Sequence, residues 1–99
     1  MNPKKVTLNK SFEKEKCINY FNKHGYGFNK ECKNSVVLKK PGTIWTFYDK
    51  NMPLELTINF ETKSTHFSLK YDAFALFDTG DLQNELDKIS NELTKVEFN

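Results

Sequence analysis

Cysteine and histidine are the residue types in this sequence best suited to nucleophilic attack, proton transfer or soft-metal binding. The chain has two of each: Cys17, Cys32, His24 and His66. Structural zinc sites use closely spaced ligand pairs such as C-x₂-C or H-x₃-H, and these four residues form no such pair. We therefore expect no metal ion and no cofactor.

A Cys–His catalytic pair requires the thiol and the imidazole to lie within hydrogen-bond reach. Cys17 and His24 are separated by two turns of a predicted helix, about 10 Å along its axis, which is too far. Cys32 and His66 fall on separate predicted strands, so their distance is left open. Because nothing else in the sequence favours catalysis, we expect a protein that is not an enzyme.

Two short segments contain the residue types of ligand-binding loops. Residues 78–81 (DTGD) lack the regular oxygen ligands and the closing Glu of an EF-hand, and they are expected to cap the helix that follows. Residues 24–27 (HGYG) precede a predicted strand, whereas phosphate-binding loops open a helix with their N–H groups facing the anion. We expect neither segment to bind a cation or a phosphate.

Aromatic residues make up 14% of the chain, and segment 43–48 (TIWTFY) places large apolar side chains on both sides of a predicted strand. Two helices can cover only one face of a sheet, so the other face is predicted to present aromatic side chains. The candidate binding residues are Trp45, Phe47, Tyr26 and Phe28. An ordinary core is the alternative, because aromatic residues are common in sheets.

Lysine supplies all 15 basic residues, and its distribution is uneven. Residues 1–40 hold ten lysines and three acids (+7), whereas residues 41–99 hold five lysines and ten acids (−5). This asymmetry is typical of a surface for an anionic partner, but antiparallel elements interleave and can cancel it. The net charge of only +2 and the lack of arginine argue against nucleic acid. Lysine and asparagine richness also fits the composition of an AT-rich genome.

Hydrophobic periodicity predicts the elements that position these residues. Residues 54–61 alternate strictly between apolar and polar, and together with 66–71 they predict a hairpin with one buried face. Residues 82–98 carry apolar side chains at spacings of four and three, which predicts an amphipathic helix. The predicted order is strand 4–9, helix 11–24, strands 26–32, 36–38, 43–48, 54–61 and 66–71, and helix 82–98.

This β-α-β-β-β-β-β-α order predicts an α+β fold with a single curved antiparallel sheet and both helices on one face. The 99 residues are enough for one domain with one core, spanning 1–99, and not for two. The predicted topology is similar to the helix-grip and TATA-binding-protein-like folds. That likeness is an analogy of topology and implies no function.

The expected function is a non-catalytic binding or protein-interaction module that uses an aromatic-rich sheet face or a cavity between helix and sheet. Its partner would be another protein, a second copy of the chain, or a small apolar molecule. The alternative is lysine-mediated binding of an anionic partner, either nucleic acid or an acidic membrane surface. No apolar run approaches the roughly 20 residues of a membrane span. The N-terminus has no secretory leader and two cysteines are too few for a disulfide framework, so we expect a cytoplasmic protein.

Overall fold

The computed structural model describes residues 3–42, 53–72 and 81–95. Within these ranges the chain forms five strands and two helices, which we number in chain order. They are β1 (Lys4–Leu8), α1 (Lys14–Asn22), β2 (Gly27–Cys32), β3 (Ser35–Lys40), β4 (Leu54–Phe60), β5 (Thr65–Tyr71) and α2 (Asp81–Lys95). The strand predicted at 43–48 lies outside the described residues.

One sheet contains all five described strands, in the order β1-β5-β4-β3-β2, with every neighbouring pair antiparallel. Strands β2 to β5 follow one another across the sheet. The segment containing helix α1 connects β1, at one edge of the described sheet, to β2 at the other edge. Strand β1 therefore pairs with β5 and not with β2. The predicted class is confirmed: an α+β fold with a curved, open antiparallel sheet and two helices.

The β4–β5 hairpin sets the pattern of the sheet. Leu56 pairs with Leu69 and Ile58 with Phe67, and these four side chains are buried. Thr57 lies between Leu56 and Ile58 on β4 and faces the opposite side, because successive side chains on a strand alternate. The hairpin predicted from residues 54–61 and 66–71 is confirmed, with β4 ending one residue earlier and β5 beginning one residue earlier than predicted.

Both helices pack on the apolar face of this sheet. Helix α1 contributes Cys17 and Phe21 to the core, and α2 contributes an apolar seam that the predicted spacing identified. The buried residues of this seam are Leu82, Leu86, Ile89 and Leu93. Burying such side chains supplies about 1.5–3 kcal/mol each, so this covered face is the main source of stability.

Helix α1 is shorter than the predicted span of 11–24. It begins at Lys14 because Phe12 is drawn into the core, where its ring meets the Phe67 ring edge-on at 6.4 Å. The helix ends at Asn22, and Gly25 then adopts a φ of 91°, a left-handed conformation that favours glycine. This turn directs Tyr26 back toward the helix and leads into β2.

Candidate functional site

Tyr26 and Phe28, two of the four candidate binding residues, lie in different surroundings. Tyr26 is 2% exposed and packs edge-on against Phe21, with 5.7 Å between ring centroids. Phe28 is 52% exposed on β2, the strand at the edge of the described sheet. A register shift between Phe28 and Lys30 interrupts the pairing of β2 with β3 there. The other two candidates, Trp45 and Phe47, lie outside the described residues.

The sheet face opposite the helices is mostly polar in strands β1, β3, β4 and β5, with Val37 as an apolar exception. Pairing across the sheet arranges its residues in three rows. The rows are Lys70, Glu55 and Lys39; Lys5, Ser68, Thr57 and Val37; and Thr7, His66, Asn59 and Ser35. No Phe, Tyr or Trp occurs in these rows, so the described part of this face differs from the predicted aromatic surface.

A trough of about 440 Å³ lies on this open face, above β1, β5 and β4. We call it the polar trough. Its polar lining consists of hydroxyl, amide, imidazole and charged groups from three strands. These are Lys5, Thr7, Glu55, Thr57, Asn59, His66, Ser68 and Lys70. Because regular strand pairing holds the backbone, these groups are presented on a rigid base.

Ion pairs run along one end of the polar trough. Glu55 Oε2 lies 3.1 Å from Lys70 Nζ, and Glu55 Oε1 lies 4.0 Å from Lys39 Nζ. Lys39 Nζ is also 3.3 Å from Asp72 Oδ2. The carboxyl group of Glu55 is half-buried between two lysines, so this end of the trough presents both signs of charge close together.

His66 connects three parts of the chain at the other end of the polar trough. Its Nδ1 lies 2.7 Å from the Thr7 hydroxyl on β1, and its Nε2 lies 3.3 Å from Glu61 Oε1 in the β4–β5 turn. Hydroxyl, imidazole and carboxylate thus follow one another within polar contact distance. This chain of contacts orients the imidazole and ties the edge strand β1 to the hairpin.

The structure does not bring Cys32 and His66 together. Cys32 pairs with Ser35, Ser35 with Asn59, and Asn59 with His66, so three strand spacings separate them. Three spacings amount to about 14 Å, well beyond a hydrogen bond. Cys17 is fully buried, and burial raises the pKa of its thiol from 9.0 to about 12. Both cysteines are free thiols, and neither is paired with a histidine as a nucleophile.

A second, much smaller cavity of about 40 Å³ lies between the two helices and β3. We call it the helix–sheet cavity. The Tyr20 hydroxyl donates to Glu92 Oε2 at 2.6 Å across it, and His24 Nε2 lies 3.7 Å from the same carboxylate oxygen. The Tyr20 and His24 rings stack with centroids 4.3 Å apart. These contacts join α1 to α2.

Folding cancels part of the charge asymmetry along the chain. Lysines of residues 1–40 pair with acids from the second half: Lys39 with Glu55 and Asp72, and Lys40 with Glu85 at 4.0 Å. Lys14 also turns inward, donating to the backbone carbonyl of Cys32 at 2.7 Å. The lysines of the first half therefore do not form one uniformly basic surface.

Comparison of the chain with protein-family models, curated proteins and solved structures finds no match. Within residues 3–42, 53–72 and 81–95, no group of three or more His, Cys, Asp and Glu side chains is placed to hold a metal ion. Neither described helix is long and apolar enough to cross a membrane.

Sequence reasoning did not identify the polar trough. Its residues are the polar members of the same alternating strands whose apolar members predicted the core. That alternation showed that one face would be polar, but not which polar side chains would meet. The Thr7–His66 contact joins residues 59 positions apart, and no local pattern signals it.

Proposed function

We propose that the protein is a non-catalytic binding module whose binding surface is the polar trough. The observation that carries this proposal is a concave surface of about 440 Å³ lined by closely spaced hydrogen-bonding groups on paired strands. Small-molecule sites commonly occupy about 300–1,000 Å³, and this trough falls in that range. The helix–sheet cavity, at about 40 Å³, is too small for an organic ligand.

The lining of the trough favours a polar ligand over the small apolar molecule expected from the sequence. Covering Thr57, Asn59 and Ser68 with an apolar group would remove their polar atoms from water without replacing the lost hydrogen bonds. A ligand with hydroxyl, amide or charged groups would replace them. The separation of Cys32 from His66 and the inertness of the buried Cys17 support a role in binding rather than in catalysis.

Titration of the isotope-labelled protein tests this proposal. Sucrose, citrate and spermidine serve as neutral, anionic and cationic probes, and backbone amide shifts are followed by NMR. We expect at least one probe to shift the amides of β1, β5 and β4 around the trough. Replacing Thr57→Val and Ser68→Ala together should weaken that probe roughly tenfold, because two hydrogen-bonding hydroxyls are lost.

The control is Thr62→Val, which removes a hydroxyl from the exposed β4–β5 turn, outside the trough lining. It should leave the affinity unchanged. Two results would contradict a binding role for the trough: amide shifts only outside β1, β4 and β5, or no amide shift with any probe at tens of millimolar.

A second candidate function is the binding of an anionic partner, and Lys5 is the observation that favours it. Lys5 is exposed on the trough and forms no ion pair with another described residue, unlike Lys39 and Lys70. If an anion binds here, citrate should bind more weakly as salt increases. Lys5→Gln should reduce citrate affinity, whereas Lys63→Gln in the turn should not.

A protein partner or a second copy of the chain would most readily use Phe28. It is the large apolar side chain that the described part of the chain leaves exposed, on the edge strand β2. Sedimentation over a wide concentration range tests self-association. If a second copy binds here, the Phe28→Ser variant should be more monomeric than the wild-type protein at the same concentration. A wild-type protein that stays monomeric would exclude this mode.

The location that we propose is cytoplasmic, as expected from the sequence. The support is chemical: Cys17 and Cys32 are free thiols, and reducing compartments preserve free thiols.

A further inference from the structure

The buried hydroxyl group of Tyr26, a residue that lines the helix–sheet cavity, has no hydrogen-bond partner among the described residues. Tyr26 is 2% exposed, and no described residue lies within hydrogen-bonding geometry of its oxygen. Buried polar side-chain atoms in proteins nearly always have a partner, which is either a protein group or an ordered water. The hydroxyl therefore points to an occupant of the cavity.

The size and lining of the cavity restrict what that occupant can be. A cavity needs a volume of roughly 10–15 Å³ to hold one water molecule, and the water needs two to four polar partners. The volume of about 40 Å³ is therefore sufficient. The lining combines residues of α1, β3 and α2 with Tyr26 itself. Its polar members are Tyr20, His24, Tyr26, Lys40, Glu85, Lys88 and Glu92.

We propose that the helix–sheet cavity binds one ordered water molecule that accepts a hydrogen bond from Tyr26 and donates one to the Glu85 carboxylate. The site would join Tyr26, the residue before β2, to helix α2 through a polar bridge. This inference concerns the covered side of the sheet and does not depend on the polar trough.

Glu85 rather than Glu92 is the acceptor because Glu92 is already engaged. Glu92 Oε2 accepts from the Tyr20 hydroxyl at 2.6 Å and lies near His24. Glu85 has only a long ion pair with Lys40 within the described residues, at 4.0 Å, and its carboxylate retains accepting capacity. Burial and the nearby Glu85 charge both raise the pKa of Tyr26, so its hydroxyl stays protonated and able to donate.

The charges around the cavity disfavour a cation as the occupant. Lys40 Nζ lies 5.5 Å from the centre of the Tyr26 ring, and Lys88 also lines the cavity. Two lysines beside two carboxylates leave no excess negative charge to hold a metal ion. An ammonium ion has only donors and cannot accept the Tyr26 proton, whereas water both accepts and donates.

The direct test is a crystal structure of the full chain at a resolution that places waters. We expect one water within about 3.2 Å of both Tyr26 Oη and a Glu85 carboxylate oxygen. A cavity without density, or a water bound elsewhere in it, would overturn the proposal. An occupant with the short distances and coordination of a metal ion would overturn it as well.

The sign of the Tyr26→Phe effect on stability is an independent test. If water completes the hydrogen bonding of Tyr26, removing the hydroxyl should raise the equilibrium constant for unfolding roughly fivefold. If the hydroxyl has no partner at all, its removal should lower that constant instead. Tyr20→Phe is the matched control, because its hydroxyl has a protein acceptor and its removal should raise the constant in either case.

Discussion

Adjacent residues on β4 and β5 meet opposite surroundings. Ile58 and Phe67 are buried beneath the helices, whereas Thr57 and Ser68, each next to one of them in sequence, line the polar trough. Side chains alternate along a strand, so one set of backbone hydrogen bonds supports both a sealed apolar face and an open polar face. Stability and binding should therefore respond to different substitutions on the same strands.

The two faces also differ in what their contacts contribute. On the covered face the Phe67 ring lies 6.4 Å from that of Phe12 and 6.2 Å from that of Phe21, so it joins the sheet to the segment around α1. On the open face the contacts are ion pairs and exposed hydrogen bonds, which typically contribute less than about 1 kcal/mol each. Five substitutions or measurements test this contrast, in decreasing order of expected effect.

Thiol labelling should separate the two faces by the largest factor. Cys17 is buried on the covered face and its pKa is raised to about 12, so it should react only when the chain unfolds. Cys32 is exposed and should react directly. At pH 8 we expect Cys17 to react at least about 10³-fold more slowly, the scale of a folding equilibrium constant. Equal rates in the folded protein would show that the covered face is open to solvent.

The same pKa shift gives a pH dependence of stability. Between pH 9 and about 12 the unfolded chain loses the Cys17 proton while the folded chain keeps it. Since the folded state then binds more protons, this thiol lowers the free energy of unfolding as pH rises through that window. Cys17→Ala should make the loss of stability above pH 9 less steep.

Phe67→Ala should reduce the free energy of unfolding by about 3–5 kcal/mol, because it leaves a cavity in the aromatic part of the core. Ser68→Ala, the next residue and on the open face, should change it by no more than about 0.5 kcal/mol. Urea unfolding of the two variants measures the difference. Similar losses for both would mean that the faces are not energetically distinct.

The two faces can also be compared through a matched pair of threonines. Thr65 is fully buried and its hydroxyl donates to the Lys10 carbonyl at 2.9 Å, whereas Thr57 lies on the trough. Thr65→Val should lower the free energy of unfolding by about 1–2 kcal/mol, because the carbonyl loses its donor. Thr57→Val should have little effect in the same denaturation experiment, and an equal loss would contradict the assignment of its face.

Glu55→Gln should give a smaller change than Phe67→Ala or Thr65→Val. It weakens two ion pairs with lysines on the open face, and we expect a loss of at most about 1 kcal/mol that shrinks in 1 M salt. Glu13→Gln, which removes a surface ion pair with Lys16 at 3.4 Å, is the control for an exposed pair. A salt-independent loss of several kcal/mol at Glu55 would show that this part of the open face is a buried polar core.

The elements that follow a simple period were predictable from the sequence. Strict alternation predicted the β4–β5 hairpin, and spacings of four and three predicted the buried seam of α2. Gly25 directly follows the predicted helix 11–24, and glycine readily takes the φ of 91° found there. Each of these features depends on residues close together in the chain.

The candidate site was less predictable because it depends on pairing between distant segments. Tyr26 and Phe28 are two residues apart, and alternation alone would place them on one surface. The turn after α1 buries Tyr26 against Phe21, while the irregular pairing of β2 leaves Phe28 exposed at the sheet edge. Tyr26 and Phe28 therefore differ in burial because of tertiary packing and a register shift, and no local sequence pattern predicts either.

The sequence by itself determined the α+β class, the alternation of faces and the apolar seam of the last helix, because side-chain periodicity is a local property of the chain. Tertiary structure alone decided that β1 pairs with β5, that Thr7 meets His66, and that lysines of the first half pair with acids of the second. Those contacts exist because strands far apart in sequence become neighbours in one sheet. The polar trough is a product of that pairing, and the helix–sheet cavity is a product of helix packing against the same sheet.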